Sequence, residues 1–130
     1  MKVVVDGNDG TGKSTLVEAL KEAGFDVVDR GIPTKMTDDE GLYIERDGTV
    51  YIILDAPVEI SRARLALAQK DLNEKYHTVN DLTYYRERFR IVAKKLAGRV
   101  GDKHVHVIDA SGTPEEVARR TLALLQSTTP

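Results

Sequence analysis

The segment Gly7-Asn8-Asp9-Gly10-Thr11-Gly12-Lys13-Ser14 has the spacing G-x-x-x-x-G-K-[ST], a pattern suited to holding the phosphates of a nucleoside triphosphate. Its glycines allow a tight curl in which successive backbone N–H groups converge on one phosphate. Lys13 can reach the β- and γ-phosphates, and the Ser14 hydroxyl can ligate Mg²⁺. Thr15 opens the helix-like run that follows, whose N-terminal end adds partial positive charge. A glycine-rich turn can match such a pattern by accident. Here, however, the β-branched run Lys2-Val3-Val4-Val5 comes before the loop and the run from Thr15 to Ala23 after it, in the order that the chemistry needs.

Further charged residues fall where the same site can use them. Asp29-Arg30 ends a second strand, so both side chains should emerge near the loop. Asp29 can hold Mg²⁺ through water or accept a proton from a hydroxyl, and Arg30 can bind an anionic acceptor or the transferring phosphoryl group. A surface salt bridge is the plainer reading of that pair. Asp9 lies inside the loop itself, where a carboxylate must face away from phosphates, toward a metal or an acceptor. Asp6 and Asp55 also end strands, and Asp55, just before Ala56-Pro57, reads equally well as a helix cap. Arg62 and Arg64 are two apart on a helix and cannot share a face, so at most one of them is expected at the nucleotide. Arg86 and Arg90, four apart, do share a face, and Arg88 points elsewhere.

These residues need a frame in which strands and helices alternate. Phe25–Asp29 reads as the second strand, and Thr37-Asp38-Asp39-Glu40 as a capping box opening a short helix over 38–46, with a hairpin at Asp47-Gly48 as the competing reading. The apolar run from Thr49 to Leu54 suits a strand buried on both faces. A helix from Pro57 to about Lys70, a polar loop over 71–79 and a long helix from Asp81 to Leu96 follow. Val105–Ile108 is the last strand, then a helix capped at Thr113 with Pro114 first and Glu116 closing the box. Residues 126–130 read as a frayed tail. The expected fold is α/β, a three-layer parallel sheet of about four strands flanked by helices, with its ligand at the strands' carboxyl ends.

Composition adds limits. The chain of 130 residues suits a single domain, with no internal repeat or linker. It has no cysteine, which excludes disulfides and thiolate zinc sites, and its three histidines are scattered. No apolar run approaches a membrane span and none resembles a signal peptide, so the expected location is the cytoplasm. The net charge of −2 hides an asymmetry: residues 1–61 hold 6 basic against 13 acidic residues, whereas residues 62–130 hold 13 against 8. A basic half can clamp phosphates or touch nucleic acid, although most of its cations read as a solvated helix face.

In order along the chain, these motifs resemble thymidylate kinases. Asp6 to Thr15 resembles that family's phosphate loop, including the acid at Asp9, and Asp29-Arg30 resembles its Asp-Arg motif. Leu54-Asp55-Ala56-Pro57-Val58-Glu59 with Arg64 resembles the segment leading to the arginine before the lid, and Tyr85 to Arg90 the helix after it. Ile108-Asp109-Ala110-Ser111 followed by Pro114 resembles the loop that holds adenine. The resemblance implies transfer of the γ-phosphoryl of ATP, with Mg²⁺, to a nucleotide-type acceptor. It gives Asp9 the acceptor side, Arg30 the acceptor's phosphate, and Arg64 the transferring group. A lid over about 68–80 would add Lys70 or Lys75.

One departure bears on the acceptor. Family members carry helices between the first helix and the Asp-Arg strand that enclose the monophosphate, and here only a few residues separate Gly24 from Asp29. Three functions follow. The first is a thymidylate kinase-like enzyme acting on dTMP or another deoxynucleotide, with a possible homodimer closing the site. The second is a kinase for a hydroxymethyl-pyrimidine base within DNA, similar to small phage-type enzymes that phosphorylate 5-hydroxymethyluracil and working in a host cytoplasm. The third is an ATP or GTP hydrolase or switch with water as acceptor.

Overall fold

The computed structural model describes residues 1–30 and 48–128. The helix or hairpin expected over 38–48 therefore falls almost wholly outside the described residues. Strand β1 (Lys2–Gly7) leads through the glycine-rich loop into α1 (Lys13–Glu22), which returns to β2 (Asp26–Asp29). Then come β3 (Val50–Asp55), α2 (Val58–Leu67), α3 (Val79–Val100), a short 3₁₀ turn, β4 (Val105–Asp109) and α4 (Pro114–Thr128). Among the described residues the sheet has four strands in the order β2-β1-β3-β4, all parallel. The α/β class, the parallel sheet and the strand count are those expected from the sequence.

Alternation along the strands builds three layers. Val3 and Val5 of β1 and Val50, Ile52 and Leu54 of β3 pack against Leu16, Val17 and Leu20 of α1 and Val117, Ala118 and Leu125 of α4. Val4 and Tyr51 face the other way, against Leu96 of α3, and Ile53 meets Tyr85, Phe89, Val92 and Ala93 of the same helix. The central strands are thus apolar on both faces because each face is covered by helix.

Several helix ends differ from the sequence reading. Helix α1 begins at Lys13, so the loop's lysine and serine lie in its first turn. Helix α2 ends at Leu67, which is 85% exposed, and the chain turns back through Gln69 at φ 59°. Helix α3 begins at Val79 because Thr78 caps it, its hydroxyl accepting from Asp81 N at 3.1 Å. It continues to Val100 before Gly101 ends it at φ 101°. The expected cap of α4 forms, with Glu116 N donating to Thr113 Oγ1 at 3.2 Å, but the helix runs through Gln126 to Thr128 rather than fraying there. Among the described residues no helix is long and apolar enough to cross a membrane.

Candidate active site

The register of the sheet places the last residues of its strands along one edge: Asp29 beside Val5, Gly7 beside Leu54, and Asp55 beside Asp109. Carboxylates concentrated at one edge repel one another unless cations separate them. The chain supplies those cations. Lys13 Nζ lies 3.5 Å from Asp29 Oδ1, Arg30 Nε 3.7 Å from Asp6 Oδ2, and Arg86 pairs with Asp55 at 2.8 Å.

The glycine-rich loop is shaped by close contact as well as by its dihedral angles. Gly10 has φ 79°, and a Cβ there would stand 2.5 Å from the Ser61 carbonyl oxygen of α2. Gly12 has φ 87°, and a Cβ there would stand 3.3 Å from Pro114 Cβ at the start of α4. Only glycine fits at Gly10 without a backbone shift. Side chains within the loop are mostly occupied in holding it. Thr11 Oγ1 donates to the Asn8 carbonyl at 2.7 Å, and Asn8 Nδ2 donates to the Leu82 carbonyl at 2.9 Å, which joins the loop to α3. Helix α1 has no side-chain cap and no acid in its first turn, so its leading N–H groups and positive end are left to face an anion.

Beside this loop lies a cleft of about 800 Å³, within the range of small-molecule sites. Of the residues expected at the site, Asn8, Asp9, Gly10, Gly12, Lys13, Ser14, Thr15, Arg64 and Pro114 line it. Lys70 lines it too, whereas Lys75 sits 5.2 Å from the centre of the Tyr76 ring. Gly7, Thr11, Asp29, Arg30 and Ser111 are not among its lining residues. Asp29 still borders it through Lys13. Arg30 instead lies over the Tyr51 ring at 5.7 Å and beside Asp6, with its side chain almost fully buried. Ser111 donates through its hydroxyl to Asp109 Oδ1 at 2.6 Å, and through its backbone N–H to the same oxygen at 3.0 Å.

Arg64 joins the cleft to the loop after β4. From α2 its guanidinium donates to the Gly10 carbonyl at 3.2 Å and to the Gly112 carbonyl in the loop after β4. Partial burial draws it below its ordinary value, opposed by Glu115. Its neighbour Arg62 turns away and braces the segment after α2, donating to the carbonyls of Leu72 at 3.1 Å and His77 at 2.8 Å.

Three features escaped sequence reasoning. Burial pushes the Asp6 carboxyl up to about 6 against the pull of Arg30 and Lys13, and Asp6 Oδ2 has no hydrogen-bond partner among the described residues. Asp55 does not cap α2, whose N-cap is Pro57 without a side-chain bond; its carboxylate faces α3 and binds Arg86 and Arg90 instead. The shared face of those two arginines was the available signal. His77 lies 2.9 Å from Asp9 although 68 residues separate them, and no local pattern announces that contact. Among the described residues no group of three or more histidines or acids is placed to hold a metal.

The glycine-rich loop between the first strand and first helix of a parallel sheet agrees with a fold of the P-loop kinase type. Comparison with known proteins points the same way. No family model matches the chain. It is 39% identical over 79 residues to the thymidylate kinase of two strains of Cereibacter sphaeroides, covering 61% of this chain and 36% of that enzyme. It is 32% identical over 113 residues to bifunctional cordycepin biosynthesis cluster protein 3 of Cordyceps militaris, covering 67% of this chain and 13% of that protein. The chain thus spans about a third or less of the curated relatives it matches. These partial similarities relate it to nucleotide kinases.

Proposed function

We propose that this chain is an ATP-dependent phosphotransferase that moves the γ-phosphoryl of ATP to a nucleotide-type acceptor, with dTMP or another deoxynucleoside monophosphate as first choice. The observation that carries this reading is one cleft lined by the glycine-rich loop, Lys13 and Ser14 at an uncapped helix start, and Arg64. In the transfer the bond from the γ-phosphorus to the β–γ bridging oxygen breaks and a bond to an acceptor oxygen forms, leaving ADP. Lys13 and the backbone N–H groups of the loop hold the phosphates, Arg64 faces the charge that spreads over the transferring group, and Pro114 borders the base. Ser14 and Asp29 supply hard oxygen donors of the kind Mg²⁺ takes, and both adjoin Lys13. The ion, bound there, would draw charge from the phosphate oxygens. Asp9 and Arg30 are assigned to the acceptor side.

The connection from Glu22 at the end of α1 to Asp26 at the start of β2 is too short to hold enclosing helices. That favours, as a second reading, an acceptor that brings its own cover, such as a hydroxymethyl-pyrimidine within DNA. Radiolabelled γ-phosphate offered with Mg²⁺ to dTMP, other monophosphates and hydroxymethyluracil-containing DNA side by side separates the two. Label on a monophosphate is the expected result, and label on DNA selects the second reading. Slow release to water that no acceptor accelerates would overturn both. Lys13→Ala should reduce transfer by about a hundredfold or more with either acceptor.

A further inference from the structure

A carboxylate within a loop built for phosphates is repelled by its own ligand unless something turns it aside and holds it. His77 meets that need. Its Nε2 lies within hydrogen-bond distance of Asp9 Oδ2, at 2.9 Å. Its Nδ1–H donates to the Asp71 carbonyl at 2.9 Å, so the ring is fixed from behind. The backbone around it is also fixed. Arg62 donates to the His77 carbonyl, His77 N donates to the Glu74 carbonyl at 3.0 Å, and Tyr76 N donates to Asp81 Oδ2 at 3.0 Å. Tyr76 itself stands at φ 74°, a conformation that costs on the order of 1 kcal/mol or more and persists only where surrounding bonds hold it.

The two partners differ in freedom. The His77 side chain is 9% exposed, whereas that of Asp9 is 35% exposed and lines the cleft. The histidine is therefore the anchor and the aspartate the group being aimed. No bond to the other carboxylate oxygen of Asp9, Oδ1, is formed among the described residues.

We propose that His77 is a positioning residue for Asp9: it holds the loop acid clear of the phosphates and presents the free carboxylate oxygen to an acceptor's hydrogen-bond donor. This rests on the phosphotransferase reading for its kinetic consequence, but not for the link itself. It also makes the segment after α2 part of the acceptor site, because a shift of that segment moves Asp9.

Two near-isosteric variants separate aiming from mere support. His77→Gln places an amide N–H near the position of Nε2 and keeps the bond to Asp9. His77→Asn places one near Nδ1 and keeps only the bond to Asp71. With the acceptor found in the transfer screen, His77→Asn should raise the acceptor's KM by about fivefold or more while the KM for ATP stays within about twofold, and His77→Gln should remain near wild type. The reverse order, or equal loss in both, would overturn the proposal. A second measurement needs no activity: tryptic cleavage after Lys70 and Lys75 in the nucleotide-free chain. Cleavage should quicken in His77→Asn and in Asp9→Ala, and the double variant should be no faster than either alone. Additive effects would overturn the link. If no acceptor is ever labelled, the phosphotransferase reading fails, yet the proteolysis still decides whether His77 holds Asp9.

Discussion

Arg86 donates from Nε and Nη2 to the two carboxylate oxygens of Asp55, at 2.8 and 3.2 Å, and so ties the middle of α3 to the carboxyl end of β3. Arg90, one turn further, adds a contact of 3.4 Å. Burial alone would raise the Asp55 carboxyl, but the hydrogen bond and charge of Arg86, with Arg90 behind it, outweigh burial and hold it below its ordinary value of 3.8. The same bond raises Arg86. A helix on one face of the sheet is thus fastened to the edge that carries the cleft.

Arg86→Leu should therefore destabilise the protein by on the order of 2 kcal/mol near neutral pH, since Asp55 would be left with the more exposed Arg90 alone. The pH dependence has a definite sign. A carboxyl whose folded value is depressed contributes stability above its unfolded value and loses it as pH falls through the folded one. Urea titrations should show the gap between wild type and variant narrowing below about pH 4. A gap of constant size down to pH 3 would mean that Arg86 acts through the packing of its stem.

Asp6 gives the opposite sign. It is 2% exposed, its nearest cation is too distant for a hydrogen bond, and burial carries its carboxyl from 3.8 to about 6. The folded state then holds the proton more tightly than the unfolded chain. The contribution is fully present below about pH 4 and is lost as pH rises through about 6, on the order of 3 kcal/mol at most. Asp6→Asn should consequently gain on wild type in melting temperature between pH 4 and 7. Parallel melting curves for the two across that range would show that Asp6 ionises as an ordinary surface acid.

Gly10 and Gly24 separate steric fit from backbone preference. Both have positive φ, at 79° and 93°, but a Cβ at Gly24 meets nothing within 4 Å. Gly24→Ala should cost about 1 kcal/mol, the left-handed penalty alone. Gly10→Ala must also push the loop off the Ser61 carbonyl, so it should cost clearly more and weaken nucleotide binding by about tenfold or more. Equal stability losses would show that the loop yields to the new methyl group without strain.

What could be read in the sequence was whatever repeats locally. The run Val3-Val4-Val5, the apolar stretch through Leu54, and the series Tyr84, Tyr85, Phe89, Val92 and Leu96 each announce an element, and all but the exposed Tyr84 of that series lie on its buried face. The loop motif was legible because a short pattern decides it, whereas helical phase only separated Arg62 from Arg64, and the family resemblance chose between them. Contacts between distant segments were not. Asp55 looks like a cap because Pro57 follows it, and only the packing of α3 on β3 brings Arg86 within reach. His77 looks like a lone histidine in a polar stretch until that stretch folds back onto Asp9. Helix ends shifted where a cap, such as Thr78, lay just outside the apolar pattern.

Arg64 offers a test of geometry against charge. Its planar guanidinium donates to the carbonyl of Gly10 with one nitrogen and to that of Gly112 with another, holding the phosphate loop and the loop after β4 at a fixed separation. Pro114 packs on Gly12 from that same side, so the two loops move together or not at all. A lysine keeps the charge but carries one nitrogen on a flexible stem, and cannot span both carbonyls in a fixed fork. If the fork matters, Arg64→Lys should weaken ATP binding by about tenfold, nearly as much as Arg64→Ala, and calorimetric titration with ATP measures both. If charge alone matters, the lysine variant should bind as wild type and only the alanine variant should fail. The double anchoring predicts the first outcome: an arginine serving only as a counter-charge has no need to donate to two backbone carbonyls in separate loops.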